Sequence, residues 1–177
     1  MDCRTRRLLV TGASGTGTTT LGRALADRWS VPHADADDYF WVPTSPPYTE
    51  KRPEVERLRL MDEIFLPRSS WVLSGSVMDW GDSVLDVCDG VVFLTASTEV
   101  RMNRLKDREV ARYGDVDDIA HRAFFEWAQS YDDPSFTGRS RVRHERWLAT
   151  TTRPVLRLES AAPPVRDLVE AVNLWLV

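Results

Sequence analysis

Eight residues near the start of the chain, Gly12-Ala13-Ser14-Gly15-Thr16-Gly17-Thr18-Thr19, have the types and the spacing to hold an anion. Glycines let a backbone curl until successive N–H groups point at one centre, and a helix opening directly behind adds its partial positive charge. Thr19 puts a hydroxyl where a cation beside a phosphate needs an oxygen. The spacing is that of a phosphate loop, Gly-x4-Gly-Lys-Ser/Thr, with one departure: Thr18 occupies the lysine position. A threonine donates one neutral hydrogen bond, whereas charge-assisted bonds to phosphate are roughly twice as strong. Three outcomes are open. Another cation substitutes, the loop takes a different anion, or catalysis has been lost. A glycine-rich turn without a ligand is the plainer reading, but strand, spacing, Gly and Thr-Thr all speak against it.

Asp35, Asp37 and Asp38 follow the next strand-like stretch. Carboxylates there can hold Mg2+ through water or accept a proton from an attacking hydroxyl. Alternation puts Asp35 and Asp37 on one side if the segment stays extended. Asp35 is assigned to the metal with Thr19, and Asp37 to the acceptor hydroxyl, with Asp38 as its substitute. A solvated acidic turn capping a helix near Tyr39 is the competing reading. Tyr39, Trp41 and their aromatic neighbours either stack on an acceptor or anchor a proline-rich loop. Gly75 and Asp79 follow a third strand. Gly75 suits a close backbone approach and Asp79 a hydrogen bond to an acceptor.

Only two of the 23 Lys+Arg residues are lysine, Lys51 and Lys106. A site needing positive charge therefore draws mainly on arginine. Lys51, or an arginine, is the expected stand-in for the missing loop lysine, against the simpler fate of a solvated surface lysine. Arg101, Arg104, Arg108 and Arg112 recur at helical steps, so Arg104 and Arg108 share a face. Arg139, Arg141, Arg143 and Arg146 form a second cluster. Guanidinium forks match phosphate oxygens, although salt-bridged surface explains many single arginines equally well. The three histidines show no metal-ligand spacing.

These groups need a frame, and apolar strand-like runs alternate with helical patterns along the chain. Strands are expected near Arg7–Thr11, His33–Ala34, Trp71–Gly75, Gly90–Thr95 and Pro154–Leu158. Helices are expected after the loop (Leu21, Ala24, Leu25, Trp29), along Val55, Leu58, Met61 and Phe65, and from Thr98 to Arg112. Further helices follow along Ile119, Ala123, Trp127 and Tyr131, from Gly138 to Leu148, and along Val165 to Leu176. Such alternation means α/β with a mostly parallel sheet, whose ligands bind at the carboxyl ends of the strands.

With these motifs in order, the chain resembles the small P-loop kinases, the group of adenylate, shikimate and gluconate kinases and topology-modulation-like proteins. The residues carrying the resemblance are Gly12–Thr20, Asp35–Tyr39, Ser70–Ser76, and Phe93-Leu94 with Glu99-Val100-Arg101 and Arg104. It implies a three-layer α/β/α P-loop NTPase fold: a five-stranded parallel sheet and a helical lid. The whole chain, 1–177, is then one domain, with a lid at about 113–147 and an acceptor insert at about 36–66. The resemblance implies ATP and Mg2+, and transfer of the γ-phosphoryl to a small hydroxyl- or phosphate-bearing acceptor. Gly12 to Thr19, Arg139 and Arg143 would hold the nucleotide. Asp37, Lys51, Arg104 and Arg108 would serve catalysis. Asp38, Tyr39, Trp41, Gly75 and Asp79 would hold the acceptor. Ser160–Pro164 resembles an adenine-contacting loop, although a plain strand–helix turn has the same composition. A non-catalytic nucleotide- or anion-binding regulator, or a slow NTPase, is the alternative raised by Thr18.

Composition narrows the field. Hydrophobic residues make up 42% and charged residues 28% of 177 residues, a globular mix that excludes whole-chain disorder. A net charge of −4 argues against a general nucleic-acid binder. No apolar run is long enough to span a membrane, and the start lacks the apolar stretch of a signal peptide. Cys3 and Cys88 supply no disulfide framework, so a cytoplasmic chain, monomeric or homodimeric, is expected.

Overall fold

The computed structural model describes residues 6–114 and 119–176. Cys3 and part of the expected lid, 115–118, lie outside the described residues. The strands are β1 (Arg7–Gly12), β2 (His33–Asp35), β3 (Trp71–Ser74), β4 (Gly90–Thr95) and β5 (Val155–Glu159). All pair in parallel in the order β2-β3-β1-β4-β5. The chain moves to one side of β1 for β2 and β3, and to the other for β4 and β5. The loop after β1 therefore opens at the reversal point of the sheet, where such sheets leave a crevice.

The strands read as continuous apolar runs because both faces are covered. Leu9, Leu73, Val91 and Phe93 face one core, with α4 (Asp82–Val87) and α7 (Arg141–Leu148). Leu8, Val10, Val72, Val92 and Leu94 face the other, against α1 (Thr18–Trp29) and α8 (Val165–Trp175). A smaller cluster joins α5 (Thr98–Tyr113) to α6 (Ile119–Gln129) through Met102, Leu105 and Ala128. Among the described residues, no helix is long and apolar enough to cross a membrane.

Three local expectations change. The segment after β2 does not stay extended: it coils at once into α2 (Ala36–Phe40), with the Asp35 side chain accepting from the Asp37 amide at 3.1 Å. The cap wins because a carboxylate satisfies a helix-start N–H that would otherwise lack a partner. The apolar stripe of α3 (Glu54–Leu60) does not begin at Val55, which is 74% exposed. It reaches the core at Leu58 and then, through a π-turn over Met61–Phe65, at Met61 and Phe65. The arginine-rich helix starts at Arg141, because the Ser140 hydroxyl caps it by accepting from the Arg143 amide.

Leu73 is fully buried. Leu73→Ala should cost about 2–5 kcal/mol of unfolding free energy. Val55→Ala should stay within about 0.5 kcal/mol, as exposed sites do. Urea unfolding of both variants checks the contrast.

Candidate phosphate-binding site

The loop is built by its neighbours as much as by its glycines. The Thr16 amide and hydroxyl both donate to the Ala13 carbonyl, at 3.2 and 2.8 Å, closing the curl. Gly12 ends β1, and a Cβ there would lie 2.5 Å from the Leu94 carbonyl oxygen. Gly15 has φ 85°, and a Cβ there would meet the Arg101 carbonyl oxygen at 2.6 Å. Gly17 has φ 90° and would meet nothing, so it lies on the open side of the loop. Helix α1 starts behind it at Thr18 with no side-chain cap and no acidic residue in its first turn. Its first amides and positive dipole end are thus left for an anion.

Thr19 and Asp35 are brought together as their types suggest. The Thr19 hydroxyl donates to Asp35 Oδ2 at 2.7 Å. Behind Asp35, Ser74 donates at 3.5 Å and itself pairs with His33 Nε2 at 2.9 Å. One hydroxyl and one carboxylate are hard oxygen donors. They fit Mg2+, which keeps most of its shell for phosphate and water. Gly75, at φ 106°, lets β3 pass close to β2: a Cβ there would lie 2.9 Å from Ala36 and 3.2 Å from Asp35 Oδ1. The close approach it permits is that of the chain's own metal-side carboxylate.

Asp37, in the first turn of α2, is exposed. Its carboxyl is held above the usual range by desolvation, then by the charge of Asp35, although its surface still meets water. Arg139 and Arg108 pull in the opposite direction. Asp38 is exposed, and its backbone carbonyl accepts from Arg52 at 3.0 Å.

Three arginines touch the loop, each differently. Arg101 is fully buried and donates to the Ser14 carbonyl at 3.4 Å, to the Ala128 carbonyl at 3.1 Å and to Asp132 at 2.8 Å. Arg104 reaches the Gly15 carbonyl at 3.4 Å and donates to the Ser160 carbonyl at 2.7 Å. It stitches the loop to the turn after β5, which is a positioning geometry. Arg139 approaches from the lid, donating to the Ser14 hydroxyl at 2.8 Å while its guanidinium stacks 4.8 Å from the Trp127 ring centre. Arg108 pairs with Glu109 at 2.9 Å. Arg143 pairs instead with Asp79, beyond the end of β3, at 2.9 Å.

Lys51 stands opposite Trp41 in a short antiparallel bridge, with Nζ 5.9 Å from the Phe40 ring centre. It has no hydrogen bond to the loop among those described; the cations that touch the loop are arginines. Trp41 packs edge-on to Phe40 and Tyr48, at 5.0 and 6.0 Å between ring centres. Tyr39 leans on Phe65 at 6.4 Å. Arg57, unnoticed in the sequence, lies 3.8 Å over Phe40.

Sequence reasoning also missed two anchors of the lid. Asp132 receives Arg101 and, at 2.6 Å, Arg141. Burial pushes its pKa up, but hydrogen bonds from Thr98, Arg101 and Arg141 outweigh that and hold it below the usual carboxylate range. His144 is buried between Tyr131, at 2.8 Å, and Ser76, at 3.2 Å. Its pKa is pulled to about 3 by burial, then by the charge of Arg139. The three- and four-residue steps from Arg101 were the only signal for the first anchor. A lone buried histidine leaves none.

A sequence profile for the AAA domain family matches residues 8–124. YqaC, an uncharacterised protein of Bacillus subtilis (strain 168), is 38% identical over 161 residues, covering 87% of this chain and 88% of that protein. The chain belongs to this AAA-domain family of P-loop proteins. Its fold is that of P-loop small-molecule kinases. An unliganded sugar kinase from Janibacter sp. HTCC2649 superposes with TM-score 0.59 at 20% identity, over 97% of this chain and 94% of that one. The shikimate kinase of Acinetobacter baumannii, in complex with shikimate, gives 0.61 at 15% identity, over 98% and 94%.

His144 tests the packing beneath the site. An unfolded chain protonates it near the ordinary value of 6.5, whereas the folded chain keeps it neutral down to about 3. Between those values the unfolded state binds the extra proton. Stability therefore falls as pH is lowered through that range, by at most about 1.4 kcal/mol per unit from this group. His144→Gln should remove that slope, so its stability relative to the native chain should rise from pH 7 to pH 4 in urea unfolding. A difference that does not change with pH would contradict a buried neutral imidazole.

Proposed function

We propose that the chain is an ATP-dependent phosphotransferase that moves the γ-phosphoryl to a small acceptor bearing a hydroxyl or a phosphate, such as a nucleoside, nucleotide or sugar-like metabolite. The observation that carries this reading is the Thr19–Asp35 contact of 2.7 Å at the uncapped start of α1, with Asp37 alongside. It joins a phosphate cradle, a hard-cation donor pair and a candidate base in one crevice. The structural neighbours described as a sugar kinase and a shikimate kinase fit an acceptor of that size.

For a hydroxyl acceptor, the oxygen attacks the γ-phosphorus, the bond to the β–γ bridging oxygen breaks, and ADP leaves. Asp37 takes the hydroxyl proton. The loop amides carry the phosphate charge, and lid arginines stabilise the charge spread over the moving group. Mg2+, held by Thr19 and Asp35, would supply further charge neutralisation at the phosphates. The partner in this reading is a small molecule.

Thr18 is the specific observation favouring the second reading, a nucleotide-binding regulator or slow NTPase. An ADP-release assay over nucleosides, nucleotides and sugars separates the two. Acceptor-dependent ADP supports transfer. Binding without it supports the regulator, and acceptor-independent ADP the slow NTPase. In an active pair, Asp37→Asn should lower kcat by about 10²–10⁴. Thr19→Ala should raise the Mg2+ concentration needed for half-maximal rate.

A further inference from the structure

We infer that Arg139 supplies the positive charge that Thr18 removed from the phosphate loop, so that the cation of this site resides on the lid instead of on α1. The inference rests on the phosphotransfer reading and names the residue that completes its nucleotide site.

The three arginines at the loop separate cleanly by what already occupies them. Arg101 lies under the loop with its charge met by Asp132 at 2.8 Å. Arg104 is committed to Ser160, from the rim. Arg139 touches a side chain of the loop, the Ser14 hydroxyl. Among the described residues it forms no ion pair, and its Nε, like that of Arg101, is buried without a hydrogen-bond partner. Asp37 is the first charge that acts on it. Desolvating a guanidinium without a counter-charge is costly. A polyphosphate in the adjacent cradle would provide both the counter-charge and the missing acceptor.

The stacking on Trp127 orients the planar guanidinium, a fork that a lysine ammonium would not reproduce. The placement also has a consequence for control. A lysine on α1 is present whenever the loop is folded. Arg139 is present only when the segment leading into α7 is docked, and that docking runs through Arg141, Asp132 and Arg101. Triphosphate binding and lid docking are therefore coupled in this chain.

Calorimetric titration with MgATP at fixed ionic strength tests the assignment, with thermal melts confirming that each variant folds. Arg139→Gln should weaken binding about 10- to 100-fold, the value of one or two charge-assisted bonds. Arg139→Lys should lose less. Thr18→Lys should restore affinity in the Arg139→Gln background and add little to the native chain. Native-like affinity of Arg139→Gln, or equal gains from Thr18→Lys in both backgrounds, would overturn the assignment while leaving phosphotransfer standing. A native chain that binds no MgATP would overturn both. If Arg139→Gln does not fold, Arg139→Lys and its Thr18→Lys double variant carry the same comparison: a restored affinity supports the assignment, and an unchanged one overturns it.

Discussion

A guanidinium with no solvent exposure lies beneath the phosphate loop, and the arrangement of the site depends on it. Arg101 takes the Ser14 carbonyl from below, the Ala128 carbonyl at the end of α6, and Asp132 in the turn beyond. Burying such a charge costs several kcal/mol unless paired and hydrogen-bonded, so these partners must stay together. Its own backbone packs against Gly15 so closely that no side chain fits there. The curl of the loop and the docking of the lid are thus parts of one packing problem. The arrangement specifies a geometry more than it adds stability, as expected of a buried ion pair.

From that anchor the arginines leading into α7 diverge. Arg139 goes to the loop, Arg141 to Asp132, and Arg143 to Asp79 beyond β3. Helical and extended geometry change over at Ser140, which is why residues two apart point to three places. His144 then locks the helix to the loop after β3 and to Tyr131 through two hydrogen bonds. Arg139 brings positive charge to Ser14, while Asp35 meets Thr19 at the start of α1. Phosphoryl transfer asks mainly for such positioning and charge balance.

Part of this was legible in the chain. The strand–glycine–helix context of Gly12–Thr19 depends on local backbone chemistry, and the five strands announced themselves as apolar runs. Thr19 and Asp35 could be paired from the phosphate-loop spacing and the end of β2. At Asp35 the competing reading, an acidic turn capping a helix near Tyr39, is the one the backbone adopts, so alternation along an extended segment does not relate Asp35 to Asp37. Val55 looked like core, yet α3 meets the sheet only from Leu58. Lys51 drew attention as a scarce residue type, whereas the cations on the loop come from residues much further along the chain.

Local sequence determined the loop, the parallel sheet and the oxygen donors, because glycine spacing, apolar runs and strand ends act over a few residues. It also disclosed the vacancy at Thr18. Which arginine meets the Ser14 hydroxyl, which is buried beneath the loop and which joins it to the turn after β5 was decided by tertiary structure alone. Arg101, Arg104 and Arg139 carry identical side chains. Only their burial and the carboxylates and carbonyls that folding brings within 3.5 Å distinguish them.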